Sequence, residues 1–225
     1  MAIEKLPVKK LVEFRRLSKP RKVTFTNKLK VGRKPASAGD GGNYWVRSLS
    51  AISKAFKEND NSIIIDKIEE VSDLYNLNQR SQTKRMYKRN IDILSKYKDF
   101  DFTQLRPTAD LKFLSKPNSI LEMGGLPVQI LPQHIFSYGA ENNQSIGGIW
   151  FIVWQDGFKP SDLGIYSETL FRYLSSYYSK DYIINPAACI IVDVTSLESI
   201  SYKDVLNGEI PSILDDTMKS VKEYL

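Results

Sequence analysis

The chain has 225 residues, 42% hydrophobic and 26% charged, with a formal net charge of +6. That composition suits one large globular domain or two small ones and excludes a disordered chain, a coiled coil and a disulfide scaffold. One cysteine, Cys189, excludes an internal disulfide and fits a reducing, cytoplasmic setting, and one histidine, His134, excludes any site that needs two.

In chain order, the first twenty residues read as irregular or partly helical, with no long apolar stretch that would mark a secretory signal. From Lys22 to Val31 the pattern alternates: Val23, Phe25, Leu29 and Val31 against Lys22, Thr24, Thr26, Lys28 and Lys30. Period two predicts a half-buried strand with a lysine strip on its wet face. Gly32–Gly42 is a breaker-rich loop. Helical spacing then predicts three helices, at about 44–57, 62–76 and 81–98. The outer face of the third carries Lys84, Arg85, Lys88 and Arg89.

The second half changes character. Residues 119–123 and 126–138 read as strands, the latter bent at Pro127 and Pro132. The run 147–154 is short and wholly apolar, which predicts a central strand covered on both faces. A helix follows from Lys159-Pro160 to Tyr178, then a buried strand at 189–194 and a terminal helix after Pro211. The expected fold is α/β, with α+β as the other possibility: a central mixed sheet flanked by helices. Residues 1–107 form a basic strand plus helices and residues 108–225 a sheet-centred region, as two units or one continuous domain. No apolar run reaches the roughly 20 residues of a membrane helix.

The charge is unevenly placed. Residues 1–50 hold 13 Lys+Arg against 3 Asp+Glu, whereas residues 108–225 hold 8 against 14. A basic front and an acidic back imply an anionic partner for the front, or neutralisation of one half by the other. Arg15, Arg16, Lys19, Arg21, Lys22, Lys28, Lys30, Arg33, Lys34, Lys84, Arg85, Lys88 and Arg89 are therefore the candidate contacts to a DNA or RNA backbone.

The order helix (81–98), strands (119–154), helix (160–178), strand (189–194) resembles the α-β-β-β-α-β core of the PD-(D/E)XK nuclease superfamily, spanning residues 81–195. The resemblance implies an Asp on one strand of the middle hairpin and a D/E-x-K on the next, with Mg²⁺ held by the carboxylates. Here Gln133 or His134 stands where the Asp is expected, and Trp150, Phe151 and Ile152 where the D/E-x-K is expected. Apolar side chains bind no Mg²⁺. The resemblance thus implies a pseudo-nuclease that binds nucleic acid without cleaving it and needs no cofactor.

Two alternatives stand beside it. Glu122, Asp156, Lys159 and Asp193 lie at or near strand ends, where a relocated Mg²⁺-dependent nuclease site would have to form. Or the chain is a protein-interaction subunit or homo-oligomer, anchored by aromatics such as Trp45 or Tyr178. His134 and Cys189 read as structural residues, and in the tyrosine-rich helix Tyr173 and Tyr178 are the members able to face outward, with core and interface roles preferred for them.

Overall fold

The computed structural model describes residue 3 and residues 5–30, 44–108 and 110–225. The first half runs β1 (Leu6–Pro7), α1 (Val8–Arg15), α2 (Lys19–Lys30), α3 (Val46–Glu58), α4 (Ser62–Leu77) and α5 (Ser81–Tyr97). The second half runs β2 (Lys112–Leu114), β3 (Ile120–Met123), β4 (Leu126–Gln129), β5 (His134–Tyr138), β6 (Ser145–Ile152), α6 (Pro160–Tyr178), β7 (Ile183–Asp193), β8 (Ser199–Ser201), α7 (Tyr202–Leu206) and α8 (Leu214–Tyr224). The fold is mixed α/β. None of the described helices is long and apolar enough to cross a membrane.

The main sheet has the order β2-β5-β6-β7-β8, and a small sheet has the order β1-β4-β3. In the main sheet β6 pairs antiparallel with β5 and parallel with β7, and α6 makes the crossover between the parallel strands. The apolar run of β6 is central, and its alternation assigns the layers. Ile146, Trp150 and Ile152 enter one core cluster, with Leu163, Leu170 and Leu174 of α6, Leu11 and Phe14 of α1, and Met218 and Val221 of α8. Ile149 and Phe151 enter the other, with Ile52 and Phe56 of α3, Ile64 of α4, and Leu94 and Tyr97 of α5. Both clusters therefore draw side chains from before and after residue 107.

Two strand readings change. Residues 22–30 are not a strand but the body of α2. Phe25 and Leu29 are four residues apart, so they share a helix face as well as a strand face. The helix is settled by what it packs on. Phe25 meets the Phe14 ring at 5.7 Å, and the buried Thr26 hydroxyl donates to the Tyr224 carbonyl of α8 at 2.9 Å. No lysine strip at strand spacing exists. The stretch 119–138 is divided between the sheets: β3 and β4 form a hairpin in the small one, and β2, which the pattern did not announce, takes the main-sheet edge beside β5. Three residues alternate too briefly to register as a period.

The C-terminal helix is pinned by charge. Arg172 of α6 donates to both Asp215 oxygens of α8, at 2.7 and 2.6 Å, and to Glu168 at 2.6 Å. Ser212 donates to the other oxygen of the buried Glu168 at 2.9 Å. This pairing holds the Asp215 carboxyl below the usual carboxylate range, through its hydrogen bonds from Arg172.

Close strand approach explains one glycine. At the register shift between Ile146 and Gly148, a Cβ on Gly147 would sit 2.5 Å from both Ala188 Cβ and Ala188 O. The backbone oxygen cannot swing away as a side-chain tip does. Gly147→Ala is expected to cost about 2 kcal/mol or more, as overpacking does in cores. A urea melt showing an unchanged midpoint would remove this account of the β6–β7 contact.

Candidate functional site

Because β6 faces two cores, the candidate cations are divided between two faces. α1 and α2 lie on the α6–α8 side of the sheet, and α5 lies on the opposite side with α3 and α4. The basic residues therefore form two patches rather than one continuous surface. Arg33 and Lys34, with most of the glycine-rich stretch, lie outside the described residues.

Within the first patch, some charge is already engaged. Arg16 pairs with Asp162, donates to the Gly157 carbonyl at 3.0 Å, and lies over the Trp154 ring at 4.1 Å. Lys9 approaches the same ring at 5.4 Å. Arg16 thus ties the basic front to the acidic back. Arg15 donates to Thr217 Oγ1 at 3.1 Å, and Lys22 sits over the Phe14 ring at 4.7 Å. Lys19, Arg21 and Lys28 of α2 are exposed, Lys30 is half-buried, and none of the four has a salt bridge among the described residues. α2 contains five cations and no acid.

The second patch is more self-contained. Lys88 pairs with Asp92 at 2.9 Å, Lys84 lies over Tyr75 at 4.9 Å, and Arg89 donates to the Tyr44 hydroxyl at 3.1 Å. Arg85 is exposed.

The four candidate catalytic residues come from three separate segments, with Asp193 paired beside Ile152 at the end of β6. Glu122 is exposed on β3, in the small sheet. Asp156 and Lys159 lie in the β6–α6 connection, where Lys159 caps α6 and its N–H is bonded to Asp162 at 2.9 Å. Asp193, at the end of β7, is buried and accepts the Thr195 N–H at 2.9 Å, which shapes the turn into β8. Among the described residues, no three His, Cys, Asp or Glu side chains come together as a metal-binding group. Gln133 is spent on the sheet, its amide making both bonds to the Phe151 backbone, at 2.7 and 3.1 Å.

The aromatic expectations shift with burial. Tyr173 is fully buried in the core, and Trp45 and Tyr178 are half-buried rather than exposed. Tyr178 donates to the Ser115 carbonyl at 2.6 Å, and Trp45 packs on Tyr44 with ring centroids 4.6 Å apart. Cys189 is inaccessible and burial pushes its thiol up, so it is a core residue.

Sequence reading missed one juxtaposition, Ser53 with His134, because the two are 81 residues apart. His134 Nε2 lies 2.7 Å from Ser53 Oγ and 2.9 Å from the Ser53 carbonyl. A carbonyl only accepts, so Nε2 carries the proton and has no lone pair left to take one from the hydroxyl. The pair is a staple between β5 and α3, not a nucleophile with its base.

Comparisons with family models, curated proteins and solved structures return no match. The arrangement of side chains is therefore the whole basis for a functional reading.

His134 has a pH consequence. Burial lowers its pKa, opposed by the bond to the Ser53 carbonyl and reinforced by Lys57 and Lys116. The folded state thus holds it neutral, while an unfolded histidine protonates near pH 6.5. As pH falls below that value the unfolded chain binds the extra proton and stability drops, until the folded pKa is also passed. The urea midpoint is expected to fall between about pH 7.5 and about pH 5.5, and His134→Gln to lessen that fall. An equal fall in the variant would assign the effect elsewhere.

Proposed function

We infer that this chain binds the phosphate backbone of a nucleic acid through α2 and performs no chemistry on it. One observation carries the reading: α2 has five cations and no acid, and Lys19, Arg21 and Lys28 project into solvent without a carboxylate partner among the described residues. Lys19 and Lys22 are also three apart on one helix, where like charges repel. α2 buries Thr26 fully and packs Phe25 and Leu29 partly against the core, which leaves its cations on the outer face. An anionic strand laid along α2 would supply the missing counter-charge and release condensed counterions.

Between α5 and β7 the chain runs β2, β3, β4, β5, β6 and α6; β3 and β4 belong to the small sheet, and the main-sheet order that remains, α5, β2, β5, β6, α6, β7, fits a nuclease-like frame, with Trp150, Phe151 and Ile152 filling the middle of the sheet where such a frame would carry its acids. A reducing, cytoplasmic setting fits the buried single thiol. An acidic protein surface would meet the same α2 cations, and the salt slope separates the two, since only a polyelectrolyte gives the counterion-release dependence.

Binding to a short DNA duplex and to a single-stranded RNA of the same length is to be measured at several salt concentrations. The triple variant Lys19→Gln, Arg21→Gln, Lys28→Gln is expected to flatten the slope of log K against log salt by about 2 to 3. The α5 variant Lys84→Gln, Arg85→Gln is expected to change it by less than about 1. No binding to either nucleic acid at low salt sinks the reading.

A further inference from the structure

A cleft of about 660 Å³ opens on the α3 side of the sheet, away from α2. Its volume lies in the range of small-molecule sites. It is lined by the end of α3, by Arg106, Thr108 and residues 110–113 leading through β2, and by the end of β5 with both ends of the β5–β6 loop. Three cations line it, Lys57, Arg106 and Lys112, against one carboxylate, Asp110.

The cations are held in different ways. Arg106 donates to the last carbonyls of α3, Phe56 O at 2.6 Å and Lys57 O at 3.4 Å, and its guanidinium stands 5.5 Å from the Phe56 ring. It is fixed in the wall, with the Asp110 carboxylate near it. Lys57 rests its ammonium 5.8 Å from the Phe113 ring, and Lys112 projects from the edge strand β2. Both lysines are exposed, and neither has a salt bridge among the described residues. Two mobile ammonium groups in front of an anchored guanidinium suit an anion with several oxygens. The Tyr138 hydroxyl, turned to Asn185 at 2.6 Å, and the Gln144 amide complete a polar rim.

We propose that this cleft binds a small phosphorylated ligand, with Lys57 and Lys112 contacting the phosphate in front of Arg106. The site is separate from α2, so a small-molecule phosphate binds here whether or not the α2 surface engages nucleic acid.

The test is titration calorimetry of the full chain with two probes, inorganic pyrophosphate and AMP. The expected result is saturable single-site binding of at least one of them. Lys57→Gln with Lys112→Gln is expected to weaken it by about tenfold or more, the size of a lost charge-assisted contact. Lys112→Gln alone, on an exposed edge position, should give part of that loss. The α2 triple variant should bind as the unaltered chain does. AMP binding tighter than pyrophosphate would place the organic part of the ligand against the Phe113–Tyr138 wall. No saturation by either probe at about 10 mM, a very weak affinity, overturns the proposal. So does binding that the double variant leaves unchanged, or that only the α2 variant removes.

Discussion

The two-sided burial of β6 is the constraint on which the rest depends. Side chains leave a strand alternately to its two faces, and here both faces are apolar from Ile149 to Ile152. Each face therefore needs its own cover. α1, α6 and α8 close one, and α3, α4 and α5 close the other. An ionised carboxylate has no place in the middle of such a strand, because desolvation without a partner costs several kcal/mol. Trp150, Phe151 and Ile152 in the middle of β6 are all buried.

The same constraint distributes the charge. Helices on opposite faces cannot present their outer surfaces to one ligand, so the cations of α2 and those of α5 act separately. α5 satisfies much of its charge locally, through Asp92, Tyr75 and Tyr44. α2 has no acid of its own and borrows none within reach of Lys19, Arg21 or Lys28. Among the described residues, Arg16 is the cation of the basic front that pairs with a carboxylate of the acidic half, and beside Asp162 it meets Gly157 and Trp154 to lock α1 against the start of α6. Mutual neutralisation is therefore local at that joint, and the α2 surface keeps its charge.

Polar groups with unusual environments also follow from layering. His134 stands where β5 meets α3, stacked near Phe56 and Phe113 and bonded to the Ser53 carbonyl. Its neutral form belongs to the fold. The cleft by Lys57 and Lys112 lies farther along the same face, beside β2 at the edge of the sheet. The part-buried staple and the open cleft thus occupy different parts of one layer.

The sequence by itself determined the elements whose signal is local and long. The helices near 44–57, 62–76, 81–98 and 160–178 were legible because apolar residues recur every three or four positions. The central strand was legible because 147–154 is too short and too apolar for anything else. Tertiary structure decided what needs a partner to be defined. Lys19–Lys30 carries both a period-two pattern and an i,i+4 pair, and contact with Phe14 and Tyr224 selects the helix. The three-residue β2, the placement of β3 and β4 in a second sheet, the Ser53–His134 staple and the cleft cations all join residues distant in sequence. A linear pattern reports which face of an element is apolar; only packing reports what that face meets, and hence which charges are brought together and which are kept apart.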